Sequence, residues 1–417
     1  MIDTIPGLMD QVRDRFAHVD RCPVQGPRIF FENAGGALTL KSVVARSDEF
    51  APIPDNQGRD NPGSRHLGAV IDRAKADIRR FFNASGGEVF VGESGTELLF
   101  RLIRTAIVAA PKGSAVLGST LEHPASRSAC DRWARVMERP YVLVPHDPQT
   151  GTVTAEDYRP AITADTRVAT ILHTSPVTGM GVDVAAIAAE IRAVAPDCII
   201  IVDGIQHAAH GHIDIDAYGI DGYVISPYKV FSRHGYGVAW VSDRLAEMEH
   251  DKLIGAPARS WEFGTRDTGA YATMSEVVAY LEWLGAQVSR DSDPRARIEA
   301  AAAAMFDHER ALTRLMIDGE AGLAGLAALP GVTLIGGANN AHREGLVSFA
   351  LADRPASAIV EQLNARGIRT HLRKADHYSA NILEPLGLEA CVRVSLCHYN
   401  TREEVRAFLA AMAEIAA

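Results

Sequence analysis

The sequence has no paired cysteines. Cys22, Cys130, Cys198, Cys391 and Cys397 are scattered over 417 residues, and none sits in a CxxC or CxxH spacing. That excludes a disulfide framework and a cysteine-based zinc site, both of which need clustered ligands, and no metal is expected. No apolar run approaches the roughly 20 residues that span a bilayer. The start, Met1-Ile2-Asp3-Thr4-Ile5-Pro6, lacks the basic stretch and apolar core of a secretory leader. A soluble, cytoplasmic protein is the expectation. Positive charge is in deficit: 42 Lys and Arg face 52 Asp and Glu, a net charge of −10. A broad nucleic-acid surface is excluded on that ground, though not a local basic pocket for a phosphate or carboxylate. Neither an internal repeat nor a low-complexity tail is present.

What remains is 47% hydrophobic and 23% charged, enough for two domains and a large core. A short amphipathic helix is expected from Leu8 to Phe16, followed by Pro23 and Pro27. From Arg28 to about Trp240 strand-like and helix-like segments alternate. The strand candidates are Glu88–Val91, Ser114–Leu117, Tyr141–Val144, Val168–Leu172, Cys198–Val202, Tyr223–Lys229 and Gly237–Val241. Such alternation predicts an α/β fold, a mostly parallel sheet between two layers of helices. Beyond Gly255-Ala256-Pro257 the texture changes to helices near 273–284 and 294–315, short strands near 332–335 and 346–349, and a helix at 356–365. A smaller α+β domain is expected there. The predicted division is 1–28, a segment packing on the small domain; 29–284, the large domain; and 285–417, the small one.

Two of the strand runs end on ionisable residues. Cys198-Ile199-Ile200-Ile201-Val202 delivers Asp203, with Gln206 just beyond, and Tyr223-Val224-Ile225-Ser226-Pro227-Tyr228 delivers Lys229. Ligands in parallel sheets bind at the carboxyl ends of the strands. An amine and an acid placed there are what pyridoxal 5'-phosphate requires: the amine for a Schiff base, the acid to keep the pyridine nitrogen protonated. A carboxylate after an Ile/Val run needs a partner, and a ring nitrogen would be one; a helix-capping Asp is the alternative. Val91-Gly92-Glu93-Ser94-Gly95-Thr96-Glu97 reads as a strand, a turn and a helix start, where free amides and the helix dipole attract phosphate; the same residues also serve as plain caps. His123, in Glu122-His123-Pro124, follows a strand and could lie on an aromatic ring or simply occupy a turn. His173 opens His173-Thr174-Ser175-Pro176 in the same kind of place.

Taken in order, these motifs resemble fold-type I pyridoxal-phosphate enzymes of the class V aminotransferase and cysteine desulfurase group, from about Phe30 to Val405. The most specific are Asp203-x-x-Gln206 with Ser226-x-x-Lys229; Ser94-Gly95-Thr96-Glu97, Glu122-His123, Glu262-Phe263-Gly264-Thr265 and Arg393-Val394-Ser395-Leu396 accompany them. The resemblance implies that Lys229 carries the cofactor and shuttles protons, Asp203 pairs with the ring nitrogen, Gln206 meets the phenolic oxygen and His123 stacks on the ring. It assigns Ser94, Gly95, Thr96 and Ser226 to the phosphate. Thr265 would reach the phosphate of a second subunit in a homodimer, and Arg393 would clamp the substrate carboxylate. Three departures matter. Pro176 stands where desulfurases carry an asparagine, which moves that contact to Ser175 or removes it. Tyr228 precedes the lysine in place of histidine, as in kynureninases. The segment Arg369–Ser379, where desulfurases keep their nucleophilic cysteine, has none; it offers His371, Arg373, Lys374 and His377.

The function expected is therefore catalysis on a small amino acid through a Lys229 aldimine and an α-carbanion. β-Elimination of the C–S lyase kind ranks first, transamination second and epimerisation third, with a non-catalytic cofactor-binding protein last. His371 and Arg373 join Arg393 as expected substrate contacts.

Overall fold

Seven strands build the central sheet of the computed structural model, which describes residues 2–417. They are β1 (Glu88–Gly92), β2 (Ala115–Ser119), β3 (Tyr141–Val144), β4 (Thr166–Leu172), β5 (Ile199–Asp203), β6 (Gly222–Ile225) and β7 (Gly237–Val241), in the spatial order β1-β7-β6-β5-β4-β2-β3. Strands β2 through β6 are parallel, while β7 runs antiparallel to β1 and β6. Their sequences are near-continuous apolar runs because both faces are covered. Val116, Val168, Ile199 and Ile201 pack with α4 (Gly95–Ala109) and α5 (Pro124–Val136) on one side. Leu117, Ala169, Ile200 and Val202 pack on the other with α2 (Lys41–Phe50), α3 (Pro62–Phe82), α6 (Val184–Val194) and α7 (Thr268–Val288). Adjacent residues of one strand thus enter different cores, as a period of two demands. The result is the three-layer α/β/α fold expected.

A second sheet holds β8 (Val332–Leu334), β9 (Leu346–Leu351), β10 (His371–Lys374) and β11 (Ala390–Ser395), antiparallel in the order β8-β9-β11-β10. Phe349, Val392 and Val394 pack there with residues of α8 (Pro294–Asp318), α9 (Ala356–Ala365) and α10 (Arg402–Ala416). The division at residue 284 is a proposal, since α7 runs across it. Near the start, α1 (Leu8–Arg13) and its surroundings touch the C-terminal part: Arg13 bonds Glu404 and the carbonyl of Tyr399, and Asp3 pairs with Arg402.

Two expected elements differ in detail. The run into Lys229 leaves the sheet at Ile225, because Pro227 has no amide to donate to a ladder and instead starts a single 3-10 turn, Pro227–Lys229. The segment after Arg369 is not all loop. His371–Lys374 is an edge strand, in register His371↔Arg393 and Arg373↔Cys391.

Candidate active site

Strands β5 and β6 are parallel neighbours, with Asp203 opposite Val224, so both carboxyl ends open on the same rim. The 3-10 turn after β6 swings Lys229 back over that rim. Its backbone is held by Lys229 N–H donating to the Ser226 carbonyl at 2.9 Å and Ser232 N–H to that of Pro227 at 3.0 Å. Phe231, two residues on, has φ of 62°, a left-handed backbone that costs an aromatic residue energy and persists only when packing dictates it. Its ring is wedged edge-on against Phe16 and His398 at centroid distances of 5.5 and 5.0 Å, which supplies that packing.

The Lys229 ammonium donates to Gln206 Oε1 at 3.2 Å. Lys229, Asp203, Gln206 and His123 line one cleft, together with Thr96, Leu172, Pro176, Ile205, Ser226 and Tyr228. Asp203 is only 2% exposed, and its Oδ1 accepts from the Ile205 amide at 3.1 Å. Burial pushes its carboxyl up to about 6, against the pull of that amide and of Lys229. Lys229 keeps one side open to the cavity, and packing around the rest brings its amine down to about 7, with the Arg393 and Arg373 guanidiniums adding to the effect. A buried acid and a lysine shifted towards neutrality in one cleft are the mark of a reactive site. His123 is held uncharged, its basicity lowered to about 3 by burial and by the charges of Lys229 and Arg373. Its Nδ1 accepts from the Ala125 amide at 3.2 Å.

Helix α4 begins beside the same cleft, with Thr96 among its lining residues. Ser94 is its cap, the hydroxyl accepting from Glu97 N–H at 3.1 Å. A side chain at Gly95 would force its neighbours aside: a Cβ there would lie 2.4 Å from Ser226 Oγ and 2.6 Å from Ile205 Cδ1. Thr96 and Ser226 both line the cleft, and the first turn of α4 packs against Ser226.

The second sheet presents Arg373, His371 and Arg393 on one face of β10 and β11, since cross-strand partners share a face. Arg393 is 2% exposed; its Nη1 donates to the Pro176 carbonyl at 2.8 Å, and its Nε has no partner. Burial and the neighbouring Arg373 bring it down to about 9. The Nε of Arg373 is likewise buried and unpaired. Glu32 is taken by other groups, accepting from Arg369 Nε at 2.7 Å and lying 3.0 Å from His371 Nδ1. Both guanidiniums lie close enough to Lys229 to lower its basicity, which places positive charge beside the cleft.

Of the residues singled out from sequence, Lys229, Asp203, Gln206, His123, Thr96, Ser226 and Tyr228 line this cavity. Ser175 is fully buried and its hydroxyl accepts the amides of Val177 and Thr178 at 3.3 and 3.1 Å, so Pro176 forms that wall. Thr265 is exposed and sits elsewhere, beside Phe50, Asp55 and Asp267. Sequence reasoning missed the loop Asn33–Gly36. Gly36 lies on the Tyr228 ring, where a Cβ would be 3.3 Å from Cδ2, and His234 stacks on that ring at 4.4 Å. The Gly35-Gly36 pair was the available signal, two glycines where backbone must approach a side chain closely.

The donor set fits pyridoxal phosphate: a near-neutral amine, a buried carboxyl lining the same cleft, and a helix start with two hydroxyl-bearing side chains beside it. Comparison with known proteins agrees. The model of the family described as aminotransferase class-V matches residues 29–408. The chain is 26% identical over 412 residues to cysteine desulfurase-like protein ustD of Aspergillus flavus, covering 94% of this chain and 88% of that protein. It is 26% identical over 432 residues to aminotransferase-like protein FGM3 of Gibberella zeae, covering 97% of each. In structure it is similar to an apo cysteine desulfurase from Thermococcus onnurineus NA1, with a TM-score of 0.82 at 20% identity over 99% of this chain and 98% of that one, a likeness of fold.

Proposed function

We propose, for a chain that belongs to the class-V aminotransferase family and is a pyridoxal-phosphate-dependent enzyme, that it catalyses β-elimination on a small amino acid carrying an anionic side-chain group. When bound, the cofactor supplies an aldehyde that captures the substrate amine and a protonated ring that accepts the electron pair left at the α-carbon. Asp203 holds that ring proton. His123, kept neutral, offers a flat face for the ring. Arg393 binds the α-carboxylate through its free donors, and Arg373 reads the side chain. Lys229, with an amine near 7, would take the α-proton and, as the ammonium, give it to the group that leaves with its bonding pair.

The observation that carries this reading is one lysine, brought near neutrality in a cleft with a buried carboxyl, with the Arg393 and Arg373 guanidiniums close enough to act on it. Epimerisation would need a second proton donor across the substrate, and neutral His123 is a poor one. A persulfide route would need a thiolate; Cys391 is fully buried, with its thiol pushed up to about 11 by that burial. The deciding experiment is an amino-acid panel with keto acid, ammonia and sulfide assayed together. Elimination releases keto acid and ammonia in equal amounts without a second substrate, and does so undiminished after cysteine alkylation. Transamination, the second reading, leaves the amino group on the enzyme until another keto acid arrives.

Arg393→Ala should raise KM for every substrate, by about ten- to a hundredfold for one lost charge-assisted contact. Arg373→Ala should leave cofactor affinity intact and reverse the preference for anionic over neutral side chains. Equal loss on both substrate kinds would remove the side-chain role of Arg373. The working form we propose is a homodimer in which the partner's Thr265 completes the phosphate site. Thr265→Val should weaken cofactor binding several-fold, about the worth of one hydrogen bond, and a fully active monomer on size-exclusion would refute the shared site.

A further inference from the structure

Behind Gln206, away from the cavity, lies a buried polar chain. Gln206 Nε2 is 3.1 Å from His210 Nε2, and His210 Nδ1 is 2.7 Å from Glu309 Oε2. His210 is 2% exposed, Gln206 3% and Glu309 1%. Glu309 comes from α8, so the chain runs from the small-sheet side of the molecule to the Lys229 amine. It is tightly built: a Cβ on Gly345 would come within 2.6 Å of Glu309 Oε2 and 3.1 Å of His210 Nδ1. His210, Glu309 and Cys397 lie within 4.8 Å of one another, but both imidazole nitrogens already have partners and the buried thiol is held neutral, so no metal is needed to explain them.

A side-chain amide has a donor end and an acceptor end, and a neighbour that can accept but not donate decides which is which. With the His210 proton on Nδ1, directed at Glu309, Nε2 can only accept. It therefore takes the Gln206 NH2 and leaves Gln206 Oε1 facing Lys229, as observed. Were Nε2 protonated, the amide would have to turn over and present its NH2 to the lysine and to any ring oxygen beside it. We propose that His210 and Glu309 are positioning residues that set which end of the Gln206 amide faces Lys229 and the bound cofactor. Other charged or titratable groups around His210 are Glu344, ahead of β9, Cys397 and His398 beyond β11, and Lys229 itself; of these, Glu309 makes the direct contact. Burial opposes a charged His210 and Glu309 favours one, the net direction being upward; the Gln206 Oε1 contact to Lys229 at 3.2 Å goes with a ring protonated at Nδ1 alone.

This inference rests on Lys229 being the cofactor lysine. The test uses the cofactor-loaded protein and reads the pH midpoint of the absorbance band of Lys229-bound pyridoxal phosphate, together with the cofactor dissociation constant. Glu309→Gln, nearly isosteric, should move the midpoint by about half a pH unit or more and weaken the cofactor about three- to tenfold, the scale of one ordinary hydrogen bond. Both effects should vanish in a Gln206→Leu background, because residues acting through one intermediary are not additive. If Glu309→Gln yields no folded protein, His210→Asn runs the same cycle. An unmoved midpoint, or equal shifts with and without Gln206, overturns the inference. Should borohydride label another lysine, the lysine assignment falls with it; equal shifts with the label on Lys229 overturn this inference alone.

Discussion

Lys229→Ala should lose turnover by a factor of about a thousand or more, since it removes both the attachment point and a positioned proton carrier, each of which alone is worth about 10²–10⁴. The same variant should still bind pyridoxal phosphate, through the α4 amides, Thr96, Ser226 and Asp203, and should no longer be fixed to it by borohydride. In the wild type a reduced digest should carry the label on Lys229; a label on any other lysine ends the site assignment. The amine also has a pH signature. It is lowered from 10.5 to about 7, first by burial and then by Arg393, so it is free base on the alkaline side of neutrality. Covalent capture of added cofactor by the cofactor-free protein should rise as the pH climbs through about 7 and level off by about 8.5. An unshifted lysine would go on gaining until about pH 10. A rate that kept climbing would mean that the amine is solvated and the cavity around it open.

How much of this was visible beforehand depends on whether a feature is local. The strands are legible because buried parallel strands write themselves as continuous β-branched runs, and Cys198–Val202 has no other comfortable conformation. The acid and the lysine follow, since each ends its run and neighbouring parallel strands open on one rim. What lies across the chain was not legible. The cationic stretch after Arg369 reads as a loop because only four residues pair, His371–Lys374, and their strand character comes from β11 rather than from their own composition. That pairing is what turns Arg373 and Arg393 to the same side. Ser175 was a plausible wall residue by type, but its hydroxyl is spent on the amides of its own turn, a local competition that short polar side chains often win. Glu309 lies 99 positions from His210, and no local pattern joins them; only the four-residue step from Gln206 to His210 hinted that the two share a turn.

Asp203→Asn should push activity and stability in opposite directions. Asparagine keeps the acceptor for the Ile205 amide but cannot hold the ring nitrogen's proton, so turnover should fall about ten- to a hundredfold, the worth of a charge-assisted buried contact. In the cofactor-free protein the carboxylate is a liability. Its folded value is raised from 3.8 to about 6 by burial, which means that the unfolded chain ionises more readily. The cost is fully present above about pH 6 and is relieved as the pH falls from there towards 3.8, where both states hold the proton. The full shift corresponds to something on the order of 3 kcal/mol. Cofactor-free Asp203→Asn should therefore unfold at a higher denaturant concentration than wild type at pH 8 and converge with it near pH 4. A carboxylate kept only to cap the turn would show the stability gain but no loss of turnover, because asparagine caps as well. A variant less active with cofactor and more stable without it would identify Asp203 as a charge retained for the ring it faces.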